Sequence, residues 1–87
     1  MILLISYDLK VPGRDYAKLY EVLKASTWWH YLESTWLIST QESVPVWRAK
    51  IKAVMDDNDR LLVVDITNQD RDGWLPNEAW EWIRKNT

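Results

Sequence analysis

The segment Trp28-Trp29-His30-Tyr31-Leu32-Glu33-Ser34-Thr35-Trp36 places three indoles, a phenol and the chain's one imidazole within nine residues. Such rings can do one kind of chemistry well, which is to stack on a flat ligand. A base on an aromatic side chain is worth about 1–3 kcal/mol, so two rings enclosing one would support micromolar binding or better. An imidazole beside them could donate to a phosphate or ribose. The chain has seven tryptophans and no phenylalanine. Phe and Leu would fill a core without adding an N–H that needs a partner. The choice of Trp throughout suggests a second task for some rings, either ligand stacking or anchoring a partner. The competing assignment packs them against the first helix and a partner subunit. Alternation along an extended chain sends Trp29 and Tyr31 to one side, Trp28 and His30 to the other.

Other chemistries find less support. With no second His and no Cys, a transition-metal site would have only carboxylates to complete it. The two glycines, Gly13 and Gly73, make no phosphate-cradling loop, and no Ser-His-Asp arrangement stands out. Asp56, Asp57 and Asp59 lack the glycine and spacing of a calcium loop, and are expected to form a solvated turn. Ser6 and Asp65 interrupt otherwise apolar strands, a place where functional polar groups often sit. The candidate ligand-binding set is Ser6, Tyr7, Trp28, Trp29, His30, Tyr31 and Trp36.

Charge narrows the ligand. Eleven basic residues against thirteen acidic ones give a net charge of −2, and the Lys and Arg residues are scattered. A protein that tracks a phosphate backbone usually carries a basic stripe. Long nucleic acid is therefore the less expected partner, while a small anion needs only one or two bases. No apolar run approaches the roughly 20 residues of a membrane span. The run Ile2 to Ile5 has no basic region before it and ends at Asp8, so no secretory signal is expected. Absence of Cys is compatible with a cytoplasmic location.

These rings must be positioned by regular elements. Ile2 to Asp8 is a strand, with Leu3, Ile5 and Tyr7 on one face and Ile2, Leu4, Ser6 and Asp8 on the other. Pro12-Gly13 is a turn. Tyr16, Leu19, Tyr20 and Leu23 form the stripe of an amphipathic helix running from near Asp15 to Ala25-Ser26. Trp29 to Glu33 reads as a short strand or a bent entry into the next one, Glu33-Ser34 as the corner, and Trp36 to Thr40 as a strand. Ser43 is a suitable N-cap, with Pro45 tolerated in the first turn of a helix striped by Val44, Trp47, Ile51 and Val54 or Met55. Arg60 to Thr67 is the last strand, Asn68 to Gly73 a polar turn, and Leu75-Pro76-Asn77 opens a terminal helix carrying Trp80, Trp82 and Ile83.

The order is β-α-β-β-α-β plus a helix. This predicts one α+β domain over residues 1–87, a ferredoxin-like plait in 1–67 with a terminal helix in 74–86. Both plait helices would lie on one sheet face. Ile2, Leu4, Leu61 or Leu62, and Val63 or Val64 would line the other, which needs cover. A chain this short buries only about 60–65% of its unfolded surface, and a homodimer or higher oligomer, packed sheet against sheet with the terminal Trp helix assisting, would supply the rest.

The opening Met1-Ile2-Leu3-Leu4-Ile5-Ser6-Tyr7-Asp8 resembles the first strand of the CRISPR-associated protein two family, small ferredoxin-like homodimers. That family ends its first strand with an aspartate and follows it with a turn and an amphipathic helix. Ser34-Thr35-Trp36 matches its Ser-Val-Phe-like middle strand, and the acidic loop Asp56 to Asp59 before a Leu/Val-rich strand is also similar. The resemblance covers residues 1–67. SinR-like sequences are related, and in the virulence-associated toxin relatives the fold carries ribonuclease activity. The resemblance implies that Asp8 from each of two subunits could hold Mg²⁺ and a water for phosphodiester cleavage. The family's basic nucleic-acid surface has no counterpart here.

Three functions follow as expectations. The leading one is a non-catalytic oligomeric protein that needs no cofactor and binds a small nucleotide-type ligand, as phage-encoded sponges do with immune messengers. The alternatives are a Mg²⁺-dependent nuclease using Asp8 as catalytic and metal-binding residue, and an adaptor whose Trp face docks another protein.

Overall fold

The computed structural model describes residues 1–87 apart from Pro12 and Tyr31. Among the described residues the elements are β1 (Ile2–Asp8), α1 (Ala17–Lys24), β2 (Thr27–Trp29), β3 (Thr35–Ser39), α2 (Val44–Lys52), β4 (Arg60–Asp65) and α3 (Asn77–Asn86). The four strands make one antiparallel sheet in the order β2-β3-β1-β4. This is a small α+β fold, and its strand order is consistent with a ferredoxin-like plait.

Register sorts the side chains between two faces. Ile5 lies opposite Trp36 on β3 and Val63 on β4, while Leu4 lies opposite Leu37 and Val64. Leu3, Ile5, Tyr7, Trp36 and Ile38 meet Leu19 and Leu23 of α1 and Trp47 and Ile51 of α2, forming the main core. On the other face Ile2 and Leu37 pack with Ile83 of α3, flanked by Leu4, Trp29, Ile66, Trp80 and Trp82. The terminal helix, expected only to assist a partner sheet, therefore covers much of this face by itself. It does not reach the whole face: Leu62 stays 59% exposed and Val64 38%.

Several boundaries differ from the sequence expectation. The short strand is Thr27–Trp29, earlier than the expected Trp29 to Glu33. The chain turns at residues 32–34, where the Thr35 N–H donates to the Leu32 carbonyl at 3.2 Å and Ser34 takes a φ of 57°. Ser43 does occupy the N-cap of α2, but its hydroxyl makes no capping bond. Thr40 serves that turn instead, its Oγ1 accepting from the Glu42 N–H and the Trp47 indole N–H. The last strand ends at Asp65, where the Asp65 carboxylate accepts the Thr67 N–H. The expected Pro12-Gly13 turn falls partly outside the described residues; Gly13 has a φ of 79°, open to glycine at no steric cost.

The acidic loop is not a wholly solvated turn. Asp59 is 8% exposed and accepts from the Lys10 N–H at 2.7 Å, the Asp56 N–H at 2.9 Å and the Tyr16 hydroxyl at 3.0 Å. It fastens the α2–β4 loop to the β1–α1 loop. No described helix is long and apolar enough to cross a membrane.

A candidate aromatic ligand site

Trp28 sits on β2 opposite Ile38, and Trp36 on β3 opposite Ile5, so both indoles face the α1 side of the sheet. On α1, Tyr20 and Lys24 are one turn apart and share a side of the helix. Just past the end of β2, His30 folds over β3. The result is a notch of about 350 Å³ lined by Tyr20, Lys24, Trp28, His30 and Trp36.

Trp36 is the floor. It is 1% exposed, and its indole N–H donates to the Tyr7 hydroxyl at 2.9 Å in the core. The His30 ring lies on it with centroids 3.8 Å apart and planes within 15°. Trp28 is tilted by 51° at 5.2 Å from the same indole, and Tyr20 lies nearly parallel to it at 6.3 Å. Trp28 and Tyr20 keep 41% and 37% of their surfaces exposed. The Lys24 ammonium stands 5.4 Å from the Trp28 ring centroid, within range of a cation–π contact.

The electrostatics suit an anion that brings a flat ring. Partial burial, followed by the nearby Lys24 cation, pushes the His30 imidazole below its ordinary value, outweighing a backbone hydrogen bond at Leu32. At neutral pH the imidazole is uncharged, and Lys24 is the charge at the mouth. Burial raises the Tyr7 phenol against the opposing bond from Trp36, so Tyr7 remains a neutral acceptor for the indole.

The remaining sequence candidates lie elsewhere. Trp29 is opposite Leu37, and it lines a largely apolar cavity of about 140 Å³ against α3 with Leu4, Leu37, Ile66, Trp80 and Ile83. The Ser6 hydroxyl pairs with the Thr35 hydroxyl at 3.2 Å. Asp8 is exposed at the end of β1, with the Lys10 ammonium 2.6 Å from its carboxylate and Arg60 directly across the ladder. Among the described residues Lys10 is its ion-pair partner, while the Arg60 guanidinium donates to the Asn58 and Asp59 carbonyls. No group of three or more His, Asp or Glu side chains able to hold a metal occurs among the described residues. Tyr31 lies outside the described residues. The structure thus brings together Tyr7, Trp28, His30 and Trp36, and separates them from Ser6, Asp8 and Trp29.

Tyr20 and Lys24 are the two site residues that sequence reasoning missed. A signal for Tyr20 existed: the helical stripe is wider than the core uses, since Leu19 and Leu23 are fully buried while Tyr20 is not. Lys24 gave none beyond its spacing from Tyr20.

Comparison with protein-family models, curated proteins and solved structures finds no match to this chain.

Proposed function

We propose that this protein binds, without chemical conversion, a small ligand of nucleotide type. The base would stack on the exposed faces of Trp28 and Tyr20, and the phosphate would meet Lys24 and His30. The observation that carries this reading is the gathering of two exposed rings, an imidazole and an ammonium around one notch on the buried Trp36. A single lysine suits a small anion better than a polymer, in keeping with the scattered charge and net −2. Sequestering a nucleotide messenger, in the manner of phage-encoded sponges, is the concrete form of this function. Self-association into a homodimer belongs to the same proposal; the exposed Leu62 and Val64 support it.

The test is a thermal-shift and calorimetric panel of cyclic and linear nucleotides, with and without Mg²⁺. Saturable binding with the nucleotide recovered intact supports the reading. Mg²⁺-dependent cleavage that Asp8→Ala abolishes would transfer the function to the nuclease alternative. No response to any nucleotide would favour the adaptor alternative.

A further inference from the structure

The sheet order leaves β4 as an edge, and its backbone shows what that edge can accept. β4 pairs with β1 without a slip from Leu3–Asp65 to Asp8–Arg60, so the strand has no bulge. The Ile66 N–H donates to the Ile2 carbonyl at 3.0 Å. Antiparallel alternation then turns the backbone groups of Val64, Leu62 and Arg60 toward β1, and those of Asp65, Val63 and Leu61 toward the free side. Among the described residues, these three N–H and three C=O groups have no hydrogen-bond partner. Natural edges are usually blunted by proline, an inward-pointing charge, a bulge or a central lysine. Arg60-Leu61-Leu62-Val63-Val64-Asp65 has none of these between its charged ends.

We infer that the β4 edge pairs with the β4 edge of a second copy, antiparallel about a two-fold axis through Val63, to make one continuous sheet. The inference rests on the self-association proposed above and specifies its surface. This register matches every outward group: Val63 bonds to the partner's Val63, and Leu61 exchanges bonds with the partner's Asp65. It also sets Leu62 against the partner's Val64 on the same face, covering the two exposed apolar side chains of the strand. Centring the axis on Leu62 would oppose Asp65 to Asp59, and centring it on Val64 would oppose Leu61 to Thr67. The N–H groups of Asp59 and Thr67 are already given to the Asp56 carbonyl and the Asp65 carboxylate. The Val63 axis is the one that wastes no bond. β2 lies at the opposite edge of the sheet, so the aromatic notch stays open in such a dimer, and ligand binding and association can fail separately.

Two measurements on the full chain test this. In solution the protein should have twice its 10.4 kDa mass at micromolar concentration. The amides of Leu61, Val63 and Asp65 should exchange about tenfold or more slowly in the dimer than after dilution to monomer, with Leu62 and Val64 unchanged. A monomer, or a dimer in which those three amides gain no protection, overturns the inference. Leu62→Lys with Val64→Lys places like charges opposite one another and should give a folded monomer. Leu62→Lys with Val64→Glu pairs opposite charges across the same junction and should remain dimeric. Both pairs change the same exposed positions, so the same oligomeric state in both, with circular dichroism showing native folds, also overturns it.

Discussion

The His30 imidazole lies face to face on the Trp36 indole, 3.8 Å between centroids and within 15° of parallel. Burial and the Lys24 cation both disfavour the imidazolium. In the folded chain His30 should therefore titrate below its ordinary value, about 6.5. Between the two values the unfolded chain binds the proton more readily, so the neutral ring's contribution to stability is lost as pH falls through that window. Because His30 is the only histidine, its imidazole resonances report the midpoint directly. A phosphate-bearing ligand should move that midpoint upward. A free-protein midpoint at or above the ordinary value would contradict this environment.

Trp36 and Tyr7 should behave as core residues. Removing the acceptor by Tyr7→Phe leaves a buried indole N–H unsatisfied, at an expected cost of about 1–3 kcal/mol. Trp36→Ala opens a cavity in the main core and should cost about 3–5 kcal/mol. Urea unfolding measures both. A Trp36→Ala protein as stable as wild type would remove the floor from the proposed site.

Asp59 should govern acid stability in the loops. Burial raises its carboxyl, but the N–H groups of Lys10 and Asp56, the Tyr16 hydroxyl and the Arg14 charge outweigh that and hold it below the ordinary aspartate value. A depressed folded value stabilises above the unfolded value, and that gain is lost as pH falls through the folded one. Asp59→Ala should lose about 1–3 kcal/mol at neutral pH. It should also flatten the dependence of stability on pH below about 4. Equal acid sensitivity in both proteins would show that another group controls it.

The elements with strong local patterns were legible in the sequence. The apolar runs of β1 and β4 and the Leu19/Leu23 and Trp47/Ile51 stripes specified the antiparallel sheet and its two helices. Alternation also separated Trp28 and His30 from Trp29: the register sends Trp28 and Trp29 to opposite faces, and His30 stacks on Trp36 on the Trp28 side. The Glu33-Ser34 corner was legible and lies in the turn, with Ser34 at a φ of 57°. The short strand before it was placed too late, at Trp29 to Glu33 rather than Thr27–Trp29, because Trp29 and Tyr31 favour a strand as much as Trp28 does. Trp36 offered no sequence sign of being floor rather than contact surface; that follows from β3 lying inside the sheet, between β2 and β1. Tyr20 and Lys24 joined the site only through the packing of α1 over β3, which depends on tertiary geometry.

The most direct test compares two neighbouring indoles that the register sends to opposite faces. Calorimetry of the tightest nucleotide in the panel should show Trp28→Ala weakening binding at least about tenfold, equal to about 1.4 kcal/mol. Trp29→Ala, across the sheet, should change it less than about twofold, or roughly 0.4 kcal/mol. Circular dichroism would first establish that both variants remain folded. Normal binding by Trp28→Ala together with a large loss in Trp29→Ala would contradict the account and move the ligand to the cavity beneath α3.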